Sequence, residues 1–70
     1  MRVRVSNPAL VGNLAGFLRH AGCIAAVSNG GQLLVTIPKS LREDAARLEL
    51  DLYLRTWEIL NAPATAHRVR

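Results

Sequence analysis

The chain has 70 residues, half of them hydrophobic, 20% charged and 4% aromatic, with a formal net charge of +4. A chain this short buries only about 60% of the surface its unfolded form exposes, so 1–70 reads as a single domain and a multidomain enzyme is excluded. One cysteine, Cys23, cannot close an intramolecular disulfide, and no Cys/His cluster offers the three or four ligands of a zinc site, which leaves oligomerisation as the way to brace so small a core.

Arg2 to Val5 alternates basic and apolar residues, the period of a strand with Val3 and Val5 inward. Asn7-Pro8 then starts a helix, because the Asn side chain can cap an orphan N–H and proline loses no bond at the first helical position. Leu10, Val11, Leu14, Phe17, Leu18 and Ala21 share one face of that helix, and Gly22 ends it. Cys23 to Ser28 reads as a second strand, and Asn29-Gly30-Gly31 as the turn of a hairpin. The third strand alternates from Gln32 to Ile37 and stops at Pro38. Ser40 and Glu43 have capping-box spacing, so a second helix is expected over 41–61. Ala66-His67-Arg68-Val69-Arg70 mirrors the opening segment and reads as a terminal strand.

These elements predict an α+β domain of the ferredoxin-like βαββαβ plan, a four-stranded antiparallel sheet with two helices on one face. In that plan the first and last strands are neighbours. Arg2, Arg4, Arg68 and Arg70 are then expected together on the face opposite the helices.

The second helix carries two apolar stripes. Ala45, Leu48, Leu52 and Ile59 lie within about 40° of Leu41 on the helical wheel, while Ala46, Leu50, Tyr53, Leu54 and Trp57 lie roughly opposite. A helix on the outside of a two-layer domain buries one side, so the other is an interaction surface or is covered by neighbouring segments. The stripe of Ala46, Leu50, Tyr53, Leu54 and Trp57 is taken as the interface. A homodimer across a two-fold axis is the simplest occupant and a second protein partner the alternative.

No set of residues has the roles that catalysis requires. Cys23 opens an apolar strand, and His20, although near it in sequence, has neither an orienting acid nor an oxyanion hole. Asp51 is expected to pair with Arg55 on its own helix, and the other carboxylates to be solvated. Asn29-Gly30-Gly31 joins two strands rather than opening a helix, so it is a turn and not a phosphate loop. The spacing of Gly12 and Gly16 would permit close backbone approach, or would simply weaken the helix. The chain is therefore expected to be non-enzymatic, with no cofactor and no metal. Nucleic acid is a further candidate partner, through Arg2, Arg4, Arg68 and Arg70 as phosphate contacts. The stacking aromatics of an RNA-binding sheet are missing, because Phe17, Tyr53 and Trp57 all fall on helices.

Neither a run of about 18 apolar residues nor the long apolar centre of a signal peptide occurs, so a cytoplasmic protein without membrane contact is expected. Asn7-Pro8-Ala9-Leu10, Phe17 to Ile24 and Leu33 to Pro38 together are similar to small bacterial ferredoxin-like regulatory modules, in the manner of ACT domains and prokaryotic signal-transducing domains. The resemblance implies a binding or regulatory module that dimerises. The Leu- and Trp-rich second helix has no counterpart in it, and no ligand residues carry over.

Overall fold

The alternating residues at the start of the chain form strand β1 (Arg2–Val5) in the computed structural model, which describes residues 1–28, 31–38 and 42–69. Asn7 Oδ1 accepts the N–H of Ala9 at 3.0 Å, and the chain enters α1 (Val11–His20) through a 3-10 turn at Pro8–Leu10. Gly22, at φ +98°, turns the chain out of the helix in the left-handed region that favours glycine. Strands β2 (Ile24–Val27) and β3 (Leu33–Thr36) pair antiparallel, and Asn29 and Gly30 of the expected turn lie outside the described residues. Helix α2 (Glu43–Leu60) and strand β4 (Ala66–Val69) complete the order. The expected capping box falls on Ser40, also outside the described residues. An exposed 2.7 Å pair of Arg47 with Glu43 and the acidic residues Glu43 and Asp44 support the first turn of α2.

The four strands form one antiparallel sheet in the order β2-β3-β1-β4. The α+β class, with a four-stranded antiparallel sheet and two helices, is the one the sequence implied. Val3, Val5, Ala25, Leu33, Val35 and Ala66 from the strands join Val11, Leu14, Ala15 and Leu18 of α1 and Leu50, Leu54 and Trp57 of α2 in one cluster. Both helices therefore cover the same face of the sheet. Each fully buried side chain of this size contributes about 1.5–3 kcal/mol.

Two expectations are corrected. The stripe of Ala46, Leu50, Tyr53, Leu54 and Trp57 faces inward: Leu50 and Trp57 are 0% exposed and Leu54 is 3% exposed, while Ala46 and Tyr53 are half-buried. The physical reason is Trp57. It is the largest fully buried side chain, and its Nε1–H donates to Asn13 Oδ1 of α1 at 2.9 Å, so it fills the junction of both helices and satisfies its polar edge there. The other correction concerns β4. Arg68 is in register with Val3, whose side chain points into the core, so Arg68 lies on the helix side of the sheet and not on the open face with Arg2 and Arg4. Ala66 sets this phase by entering the core opposite Val5. Because side chains alternate with a period of two, burying Ala66 turns Arg68 toward the helices. Arg70 lies outside the described residues.

Candidate interaction site

The inward stripe leaves the opposite stripe of α2 in water. Leu48 is 68% exposed, Leu52 64% and Ile59 75%, with Leu60 beside them also exposed. Ala45, Leu48, Leu52, Arg55 and Ile59 follow one another at intervals of three, four, three and four residues, the spacing of a helix seam that packs against another helix. One charged residue, Arg55, interrupts it.

This outer stripe continues into a groove of about 510 Å³ between α2 and the free edge of β4. Leu48, Leu52 and Leu54 form its helical wall, Ala66 and Arg68 lie on the strand side, and Asp51, Arg55 and Glu58 line it with charge. Two of these groups are tied down. Arg68 Nε and Nη2 donate to the two carboxylate oxygens of Asp51 at 3.2 and 3.3 Å, and Ala66 N–H donates to Glu58 Oε2 at 3.0 Å. Asp51 therefore pairs with the strand across the groove, rather than with Arg55 on its own helix. Both partners are partly exposed, so the pair contributes at most about 1 kcal/mol and serves mainly to hold the Arg68 side chain.

On the open face of the sheet Arg2 and Arg4 remain exposed, with His67 directly opposite Arg4 and with exposed Ile24 and Leu34 nearby. The basic surface expected there is thus smaller than the sequence suggested. It has lost Arg68 to Asp51.

The only thiol does not supply a nucleophile. Cys23 is buried, and burial pushes its pKa above the ordinary 9.0, with the charge of Glu49 acting in the same direction. It is protonated at neutral pH, the reverse of what a reactive cysteine needs. Glu49 accepts the Tyr53 hydroxyl at 2.8 Å, and this bond, ahead of desolvation and the Glu49 charge, raises the Tyr53 pKa. Tyr53 acts as the half-buried rim of the core. Among the described residues no three His, Cys, Asp or Glu side chains group as a metal site would require, and no helix is long and apolar enough to cross a membrane.

Sequence reasoning missed Glu58 and Asp51 as edge-strand partners. Glu58 lies eight residues before Ala66 and Asp51 seventeen before Arg68, spacings outside any helical or strand period, so no local signal announced them. No protein-family model matches the chain, and comparisons with curated proteins and with solved structures return no match.

Proposed function

We propose that the protein is a non-enzymatic, self-associating binding or regulatory module on a ferredoxin-like scaffold, with the outward stripe of α2 as its contact surface. The order β2-β3-β1-β4 and the alternation of strands with helices support the scaffold. The observation that carries the function is the exposure of Leu48, Leu52 and Ile59 on a helix whose other face is already filled. With Leu60 they expose on the order of 500 Å² of apolar surface, at the upper end of what monomers leave in water. A second copy is the occupant that fits best. Asp51 and Arg68 in the groove beside the stripe already neutralise each other, so a copy turned about a two-fold axis can bring apolar stripe to apolar stripe and set Arg55 of each against Glu58 of the other. The competing reading as a nucleic-acid binder rests on Arg2, Arg4 and His67, with no stacking aromatic on the open face.

Sedimentation equilibrium over a wide concentration range tests the proposal. The unaltered chain is expected as a dimer, and Leu48→Glu with Leu52→Glu as a monomer that keeps its far-ultraviolet circular dichroism. A chain that stays monomeric at every concentration overturns the reading.

A further inference from the structure

Both edge strands of the sheet lie beneath a helix that packs on them, α1 on β2 and α2 on β4. They differ in what an approaching strand would meet. In β2 the hydrogen-bonded pair of Ser28 with Gln32 makes Ala25 and Val27 the residues whose backbone points outward, and Arg19 of α1 covers this edge by donating Nε and Nη2 to the Ala25 carbonyl at 2.9 and 2.7 Å. The exposed side of α1 above it is Gly12, Asn13, Gly16, Arg19 and His20, which offers an incoming chain little apolar surface.

In β4 the bond from Ser6 N–H to the Thr65 carbonyl at 2.8 Å sets the alternation, so Ala66 and Arg68 point their backbone groups away from β1. Glu58 takes the Ala66 N–H, and the N–H and carbonyl of Arg68 face the groove beneath Leu48 and Leu52. A strand added here would gain backbone bonds and cover the apolar stripe in one movement.

Resting on the self-association proposed above, we infer that two copies join edge to edge, with β4 pairing antiparallel to β4 of the second copy into one eight-stranded sheet and the outer stripes of the two α2 helices meeting above the junction. The pairing closes on Arg68 of one copy against Arg68 of the other, each N–H donating to the other's carbonyl. Like charges placed opposite each other across strands repel, but each Arg68 already holds its own counter-ion, Asp51. The area supports the same arrangement. A stable interface buries about 800 Å² on each partner, more than the exposed apolar side chains of α2 supply alone, and the strand edge and groove make up the difference.

The test compares Arg68→Pro with Arg68→Ala. Both remove the side chain and its bond to Asp51, but only proline removes the outward N–H, and an edge strand tolerates proline where its N–H faces away from the sheet. Arg68→Pro is expected to raise the dissociation constant about tenfold or more beyond Arg68→Ala, the loss of two backbone hydrogen bonds across the axis. Amide exchange on the unaltered protein gives a second readout that needs no variant. The Arg68 N–H is expected to exchange about tenfold or more slowly in the dimer than in the Leu48→Glu, Leu52→Glu chain. Equal association of the proline and alanine variants, with an unprotected Arg68 amide in a dimer that the glutamate substitutions still dissociate, overturns the strand pairing and leaves self-association standing. A monomeric unaltered chain overturns both. If Arg68→Pro fails to fold, the amide exchange decides alone.

Discussion

The helix over β2 is finished toward solvent, whereas the helix over β4 is not, although β2 itself leaves Ile24 and Val27 exposed. Each half of the molecule consists of a helix over an edge strand, and each edge has one backbone group held by a charged side chain, Arg19 on Ala25 and Glu58 on Ala66. The contrast lies in the helix above. Small and polar residues cover the outside of α1, and leucines and isoleucine cover the outside of α2. Capping an edge therefore does not by itself keep it solitary; the side chains that overhang it decide whether a partner gains by docking.

The largest expected effect breaks the comparison from within α2. Trp57→Ala should lose about 3–5 kcal/mol of stability in urea unfolding, since it empties the junction of both helices and removes the bond to Asn13 Oδ1. The same measurement on the Leu48→Glu, Leu52→Glu monomer should show a loss within about 0.5 kcal/mol of what dissociation alone explains, because those side chains touch solvent. A smaller effect tests the half with the finished helix. Arg19→Ala uncovers the Ala25 carbonyl, and it should cost about 1 kcal/mol while promoting association through β2, seen as species larger than a dimer in sedimentation. The smallest runs in the stabilising direction. Gly16→Ala should raise stability by about 0.5–1 kcal/mol with an unchanged dissociation constant, because a Cβ there meets open space and the helix interior favours alanine. A change in association instead would place the contact on α1.

The strands, both helices and their stops were legible because each is a local pattern. The alternation of Arg2 to Val5, the Asn7-Pro8 start and the Gly22 stop depend on neighbours a few residues away. What stayed hidden was phase. The periodicity of α2 shows two stripes but carries no sign saying which is inside, and the sign comes from a contact across 44 residues, Trp57 with Asn13. Strand β4 posed the same difficulty with less to go on. Ala66 is a small residue whose burial shows only against Val5, and reading the strand one residue out of phase sends Arg68 to the wrong face. The stripe taken as the interface was accordingly the one that faces inward.

Trp57 is the only tryptophan in the chain, fully buried, with its indole N–H held by Asn13. It faces away from the stripe proposed to meet a second copy. Its emission is therefore a reporter of the helix junction and not of assembly: denaturation shifts it to the red as the ring meets water, while dilution past the dissociation constant leaves it unchanged. One optical signal then separates loss of fold from loss of partner, and the protein carries that probe without a label.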